Sequence, residues 1–254
     1  MSSELLELRT LAVCAQDNDF ALLREGATLV SLPLDLAEAN SVPKACMQLA
    51  ERAVDLVLMD GALSLADRAI ITKAARESGG SAFIVLMCEP TSEAATTSCA
   101  DATTAKPCDA DAARAMIDGC VRSRLPKRVL VVDDSATMRS IVKKILGASG
   151  FRITLEDASE GQVAIDMLRA KAADIVFLDY HMPGLDGVET LKAIKRDNPD
   201  MRAVIMTSLD DQTAPALARD AGADAFLRKP FYPADVDAVI YGLFGLTPIL
   251  PSGA

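Results

Sequence analysis

The stretch VFLDYHMPGLDG, residues 176–187, is the part of the sequence that decides the fold. Three apolar residues, Val176 to Leu178, are typical of a buried strand, and they run directly into a carboxylate, Asp179. The loop that follows holds the only histidine of the chain, His181. A charge at the end of a buried strand is costly without a partner, so the surrounding sequence has to supply a reason for it.

Around this stretch, residues 125–246 alternate apolar strands with amphipathic helices in five strand–helix pairs. Strands with continuous apolar runs favour a parallel sheet that helices cover on both faces, and such sheets collect their sites at the carboxyl ends of the strands. The predicted strands span 128–134, 152–157, 173–179, 202–208 and 224–229. The predicted helices are one capped by Ser135, then 159–172, 188–197, 211–220 and 233–244.

Polar residues end four of these strands and are therefore expected to meet at one edge of the sheet. They are Asp133 and Asp134 on the first strand, Asp179 on the third, Thr207 on the fourth and Lys229 on the fifth. Three carboxylates without a metal would repel one another, and a set of oxygen ligands with an open face suits Mg²⁺. With a lysine and a hydroxyl beside the cation, the group that such a site would hold is a phosphoryl group.

An internal repeat extends the pattern to the first half of the chain. Residues 101–119 align without gaps on 224–242, and VDLVLMD at 54–60 matches ADIVFLD at 173–179. The sequence therefore predicts a tandem duplication of a doubly wound (βα)5 domain. The predicted boundaries are 1–124 for the first domain, 125–246 for the second and 247–254 for a short tail.

The motifs VVDDS, FLDYHMPGLDG, MTS and LRKPF resemble those of the receiver domain of two-component response regulators, in the same order and spacing. The resemblance covers residues 127–246, and the helix opening DDSATMRSIV is similar to that of chemotaxis-type receivers. It implies an α/β, flavodoxin-like fold with a parallel five-stranded sheet in each domain. It also implies that Asp179 is the phosphoacceptor, attacking a phosphoryl group carried on a histidine of a sensor kinase.

The resemblance assigns roles to the other residues of the site. Lys229 would balance the charge of the acyl phosphate, Thr207 would hydrogen-bond its oxygens, and Phe226 would be the aromatic that moves with the threonine. The side chain of His181 is expected to face solvent. The implied cofactor is Mg²⁺, and its implied ligands are Asp134, Asp179 and the backbone carbonyl of His181, with Asp133 holding a metal-bound water.

The first copy keeps an aspartate, Asp60, and a lysine, Lys106, at the matching strand ends, but departs from the receiver pattern elsewhere. It is therefore expected to be a degenerate receiver that serves contacts or regulation. The expected replacements are Gln16 and Asp17 for the acidic pair, Cys88 for the threonine and Thr103 for the aromatic.

All six cysteines lie in the first half, without a CxxC pair, and are expected to be reduced thiols. One alternative is a thiol sensor, because Cys14 and Cys88 could both approach the Asp60 pocket. The other is that these two residues are small apolar packing groups. Native thiol labelling separates the two.

Composition excludes several classes of function. The chain has 254 residues and a net charge of −10, and neither half carries the basic patch that nucleic acid binding requires. No apolar run approaches the roughly 18 residues of a membrane helix, and the N-terminus lacks a signal-type segment. A cytoplasmic protein that binds neither nucleic acid nor membrane is expected.

These observations favour a phosphorylation-controlled adaptor or phosphorelay intermediate rather than an enzyme. Its expected partners are a sensor histidine kinase and a downstream protein or phosphotransfer partner, since no output module is recognised in the sequence. The alternative is a scaffold that binds independently of phosphorylation. A phosphatase is disfavoured because no second acid lies two residues beyond Asp179. A homodimer is also expected, through the last strand and helix of the second domain, where Leu227, Val239 and Leu243 are candidate apolar contacts.

Overall fold

The computed structural model describes residues 8–79, 82–89, 100–208 and 214–249 of the chain. The chain divides into two compact units. The first runs to Arg124 and also includes the segment from Phe244, whereas the second runs from Leu125 to Leu243. Both are α/β units with parallel sheets, which confirms the predicted fold class.

The first unit alternates strands and helices along the chain. Its strands are β1 (Leu8–Val13), β2 (Leu34–Ala39), β3 (Leu56–Asp60), β4 (Phe83–Cys88) and β5 (Ala102–Ala105). Its helices are α1 (Asp17–Thr28), α2 (Val42–Glu51), α3 (Leu65–Glu77) and α4 (Ala110–Arg124).

The second unit repeats the alternation. Its strands are β6 (Lys127–Val132), β7 (Ile153–Ala158), β8 (Ile175–Asp179), β9 (Arg202–Ser208) and β10 (Ala225–Lys229). Its helices are α5 (Ala136–Gly147), α6 (Gly161–Ala170), α7 (Gly187–Asp197), α8 (Ala214–Asp220) and α9 (Pro233–Leu243). A final two-residue strand, β11 (Thr247–Pro248), belongs to the sheet of the first unit.

The two sheets share one strand order. It runs β5-β4-β3-β1-β2 in the first unit and β10-β9-β8-β6-β7 in the second, with every one of these pairs parallel. Each third strand lies inside its sheet and is buried along its whole length, which explains its run of apolar residues. Asp60 and Asp179 therefore stand at equivalent places, at the carboxyl end of an interior strand.

Local sequence signals set where the helices beside the site begin. The side chain of Ser135 accepts a hydrogen bond from the backbone N–H of Met138, so it is the N-cap of α5, as predicted. Asp186 and Glu189 form a reciprocal capping box at the start of α7. Both caps lie at the ends of loops that follow a strand of the site, and they limit how those loops can move.

The predicted elements of the second unit agree with the structure to within a few residues. The predicted start of the helix at 211 lies outside the described residues, as does most of the segment between Cys88 and β5. Within the described ranges, every helix is too short or too polar to cross a bilayer.

The end of the described chain differs from the expected tail. Thr247 pairs with Thr103 and Pro248 with Ala102, so β11 adds an antiparallel strand to the edge at β5. Phe244 and Leu246 are buried, and the second unit ends at Leu243 rather than at 246. The physical reason is that an open strand edge exposes unpaired backbone groups, which this segment satisfies.

One candidate for a dimer contact is not available on the surface. Leu227 on β10 is 4% exposed because it packs inside its own domain. Val239 and Leu243 on α9 are partly exposed. The expected apolar contact surface is therefore smaller than the sequence suggested.

Candidate functional site

The second domain brings three carboxylates together at the carboxyl edge of its sheet. Strands β6 and β8 are parallel neighbours, with Val132 beside Leu178, so the residues that follow or end them meet. Asp133, Asp134 and Asp179 each offer an oxygen within 4.8 Å of the others. Asp133 is 1% exposed and Asp179 is 9% exposed, whereas Asp134 faces solvent. The pocket thus has buried walls and one open side.

Lys229, at the end of β10, reaches into this cluster. Its Nζ lies 2.9 Å from Oδ2 of Asp133 and 2.9 Å from Oδ1 of Asp179. Burial alone would lower the pKa of Lys229, but the hydrogen bonds and charges of the two aspartates outweigh this effect and raise it. The ammonium group therefore stays protonated at neutral pH.

The acidic cluster is only partly neutralised by that lysine. Burial raises the pKa of Asp179, and the charges of Asp133 and Asp134 raise it further, while Lys229 opposes the shift. Three carboxylates against one ammonium leave an excess of negative charge among hard oxygen donors, which fits a divalent cation such as Mg²⁺. Asp134 is exposed, so the cluster is open to solvent on that side.

The remaining predicted residues lie around the pocket. Thr207 ends the buried part of β9 and is 1% exposed, and its hydroxyl donates to the carbonyl of Ser208 at 3.3 Å. Phe226 on β10 is half-buried, with the guanidinium of Arg219 5.8 Å from the ring centroid. The side chain of His181 is exposed, and its ring packs edge-on against that of Tyr180.

Sequence analysis missed an arginine that supports the acidic loop. Nη1 of Arg139 donates to the backbone carbonyls of Asp133 at 2.8 Å and Asp134 at 3.2 Å, and Nε donates to Oδ2 of Asp157 at 2.9 Å. Long side chains on a helix lean towards its N-terminus, so a charged residue four positions after the cap Ser135 could have been expected to face this loop.

In the first domain, the positions equivalent to the acidic pair hold different residues from those expected. Val13 lies beside Met59 as Val132 lies beside Leu178, which places Cys14 and Ala15 at the positions of Asp133 and Asp134. The expected pair, Gln16 and Asp17, was wrong. Gln16 is the N-cap of α1 and Asp17 its first residue, and both are exposed.

The carboxylate that does reach the first pocket comes from the first turn of α1. Nζ of Lys106 lies 2.8 Å from Oδ2 of Asp19 and 3.2 Å from Oδ2 of Asp60, and Oδ1 of Asp60 accepts the backbone N–H of Ala62 at 2.9 Å. Burial alone would lower the pKa of Lys106, but its bonds to Asp19 and Asp60 raise it. We term Asp19, Lys106 and Asp60 the ion triad.

The ion triad differs from the cluster of three carboxylates in the second domain. Two carboxylates share one ammonium, whereas the second domain has three acids beside its lysine, so the excess negative charge is smaller. Among the residues that the structure describes, no group of three potential metal ligands is found in the first domain.

The loop after Asp60 is also shorter than its counterpart. It spans 61–64 before α3, whereas 180–186 separate β8 from α7. Arg68, which is buried, donates to the carbonyls of Gly61 and Leu63 at 2.8 Å each. A side chain thus holds the backbone carbonyls that follow the aspartate.

The cysteines near the ion triad are protonated, buried groups. Burial raises the pKa of Cys14 to about 12, helped by the charges of Asp19 and Asp60. Burial also raises the pKa of Cys88, although Arg68 opposes the shift. A reactive thiol needs a lowered pKa and access to solvent, so both residues fit the packing interpretation better than the sensor.

Comparisons with known proteins agree with the geometry of the second domain. The response regulator receiver domain family matches residues 129–241. The chemotaxis protein CheY of Thermotoga maritima is 34% identical over 110 residues, which are 43% of this chain and 91% of that protein. The chain therefore belongs to the response regulator receiver family.

Two further similarities extend this result. The response regulator MprA of Mycolicibacterium vanbaalenii is 35% identical over 42% of this chain, and the chain covers 46% of the length of that relative. The chain is also similar to a crystal structure of a two-component system response regulator/GGDEF domain protein. That match covers 93% of this chain and 98% of the other, with a TM-score of 0.51 and 20% identity. At that identity, the likeness shows the fold alone.

Proposed function

We propose that the protein is a response regulator whose second domain accepts a phosphoryl group on Asp179 from a sensor histidine kinase. The observation that carries the proposal is the pocket itself. The Asp179 carboxylate lies within reach of two further acids and within 2.9 Å of the Lys229 ammonium. Receiver family membership supports the same chemistry.

In this reaction a carboxylate oxygen of Asp179 attacks phosphorus. The O–P bond forms as the N–P bond to the kinase histidine breaks, and the electron pair of that bond returns to the imidazole. Asp134, Asp179 and the His181 carbonyl would hold Mg²⁺, with Asp133 holding a metal-bound water, and the cation would supply positive charge to the phosphoryl oxygens. Lys229 would balance the negative charge of the same oxygens.

Phosphorylation is then transmitted through the strand ends next to Asp179. The new group adds close to two negative charges to the pocket. We infer that the Thr207 hydroxyl turns from the Ser208 carbonyl towards a phosphoryl oxygen, and that the half-buried Phe226 moves into the space it leaves. The signal passes to a downstream protein, or the phosphoryl group is transferred onward. Signalling by contact, and not turnover of an external substrate, is the proposed activity, in the cytoplasm.

The first domain is proposed to be a degenerate receiver in a tandem pair. The shared strand order and the internal repeat support the duplication. The ion triad and the loss of acids at Cys14 and Ala15 support the loss of phosphotransfer. Its role would be regulation or protein contact.

The test is incubation of the full chain with a small phosphodonor and Mg²⁺, followed by intact-mass measurement. We expect one added phosphoryl group, which EDTA prevents and Asp179→Asn abolishes. Asp134→Asn should slow incorporation without removing the acceptor. Label that persists at full level in Asp179→Asn would refute the assignment.

A phosphorylation-independent scaffold is the second candidate, favoured by the closed ion triad of the first domain. The phosphoryl mimic beryllofluoride distinguishes the two functions in a binding assay with the downstream partner. Affinity that beryllofluoride leaves unchanged would support the scaffold. Light scattering of the same samples tests the homodimer, which is proposed to form only with the mimic bound.

A further inference from the structure

We propose that Arg139 is a positioning residue for the cation site, and that its guanidinium presets the acidic loop after β6. The inference rests on the proposed function, because it concerns the Mg²⁺ site that phosphotransfer requires. It adds a residue outside the cluster of carboxylates and gives it a separate, measurable role.

The contacts of Arg139 are made to the backbone of the acids themselves. Nη1 donates to the carbonyl oxygens of Asp133 and Asp134, at 2.8 and 3.2 Å. Nε is held in turn by Asp157, at 2.9 Å, and the pKa of that carboxylate is lowered by Lys143 and, against the effect of burial, by Arg139. A planar guanidinium can satisfy three acceptors in fixed directions. It therefore fixes the peptide planes on both sides of Asp134, and with them the direction in which that acid side chain leaves the chain, as well as one of the two planes that flank Asp133.

The first domain provides an internal control for this interpretation. Phe20 stands at the position of Arg139, and Cys14 and Ala15 stand at those of the acids. Arg24 and Glu38 nevertheless form an ion pair at 2.5 Å, in the place of the Lys143–Asp157 pair. The neighbouring ion pair thus persists in a domain without the acidic site, whereas the arginine on the loop carbonyls does not.

The charge of Arg139 and its positioning role predict opposite changes in the affinity for Mg²⁺ when the side chain is removed. Removing a cation near a Mg²⁺ site should strengthen Mg²⁺ binding if Coulomb repulsion dominates. Removing a group that orders the ligands should weaken it. Asp157, which Arg139 shares with Lys143, compensates part of that repulsion, whereas the two carbonyl contacts belong to Arg139 alone. We therefore expect the positioning effect to prevail.

The experiment is calorimetric titration of the unphosphorylated full chain with Mg²⁺. Arg139→Met keeps an unbranched apolar stem but removes the donors, and it should weaken Mg²⁺ binding by roughly 10- to 100-fold. Arg139→Lys keeps the charge without the planar fork and should lie between this variant and the native chain. The matched control is Lys143→Met, which removes a cation from the same carboxylate but touches neither loop carbonyl. Its affinity should stay within about twofold of the native value, since partly exposed pairs contribute little.

The outcomes separate this inference from the proposed function. A native chain that does not bind Mg²⁺ contradicts the proposed function itself. Native or tighter affinity in folded Arg139→Met overturns the positioning role, as does an equal loss in Lys143→Met. A merely structural role would lower the thermal midpoint of both variants and leave the affinity for Mg²⁺ intact. If circular dichroism shows that Arg139→Met is unfolded, Arg139→Lys decides, and native affinity there refutes the inference.

Discussion

The two domains place an aspartate and a lysine at the same strand ends, yet the pockets around them differ in charge and access. In the second domain the additional acids come from the loop after β6, and one of them is open to solvent. In the first, the additional acid comes from α1 and closes on Lys106. Where the second domain has two acids after its first strand, the first has one carboxylate in the first turn of the following helix, so two acids share one lysine instead of three.

The largest expected difference between the domains is in phosphotransfer. Asp60 has both oxygens engaged, by Ala62 and Lys106, and within the described residues the first domain has no group of three acids like the one proposed to hold the cation for phosphotransfer. We expect one phosphoryl group per native chain, and unchanged incorporation in Asp60→Asn. Intact-mass measurement is the check. Two added groups would show that the first domain is a working receiver.

Buried cysteines should react with a thiol reagent orders of magnitude more slowly than accessible ones, because a buried thiol reacts only when the structure opens. Cys108 is exposed and Cys46 partly exposed, whereas Cys14, Cys88 and Cys120 are buried, and burial raises the pKa of Cys120 to about 12. Labelling with a maleimide under native conditions, followed by peptide mapping, should find Cys108 first. Fast labelling of Cys14 or Cys88 would instead revive the thiol sensor.

The lysines of the two pockets should differ in their contribution to stability. Lys106→Met leaves Asp19 and Asp60 facing each other and should lower the free energy of unfolding of the first domain by about 3 kcal/mol. Lys229→Met should cost less in the presence of Mg²⁺, because the cation compensates the acids.

Urea unfolding of both variants, with and without Mg²⁺, measures the difference. Lys106→Leu serves as the control for the shape of the new side chain. An equal rescue of both lysine variants by Mg²⁺ would mean that the first pocket also accepts the cation.

The smallest expected effect concerns the metal-free second domain. Because the pKa of Asp179 is raised in the folded state, its ionisation opposes folding. Stability should fall as pH rises from the ordinary pKa of an aspartate, about 4, through the raised value, and stay lower above it. Asp179→Asn should remove this dependence and raise the metal-free thermal midpoint at neutral pH by a few degrees. A midpoint that falls instead would show that the Lys229 contact outweighs burial.

The site of the second domain was predictable because its residues end parallel strands, whose carboxyl ends must share an edge. In the first domain the acids of AQDND suggested that Gln16 and Asp17 align with the acidic pair, which is two residues beyond the true positions, Cys14 and Ala15. The 119-residue spacing that joins Asp60 to Asp179 also joins Cys14 to Asp133 and would have corrected it. Sequence alone could not show that Asp19 replaces those acids, since that depends on the direction of one helical side chain.

Two other features left no periodic signal in the sequence. The role of Arg139 depends on where two backbone carbonyls point, which no pattern of side chains encodes. Strand β11 is only two residues long and pairs with Thr103, far away along the chain. Periodicity detects elements of several residues, and a pairing of this kind is decided by the open edge it covers.

Strand β11 also makes the order of synthesis matter. The first domain leaves the ribosome before the second, yet its sheet is finished by a segment translated after Leu243. At typical elongation rates, residues 125–249 take on the order of ten seconds to appear. Throughout that interval the β5 edge lacks the strand β11. The positions that Phe244 and Leu246 later fill in the first domain are also vacant. The nascent first domain is therefore expected to be a client for chaperones until the second domain has been made.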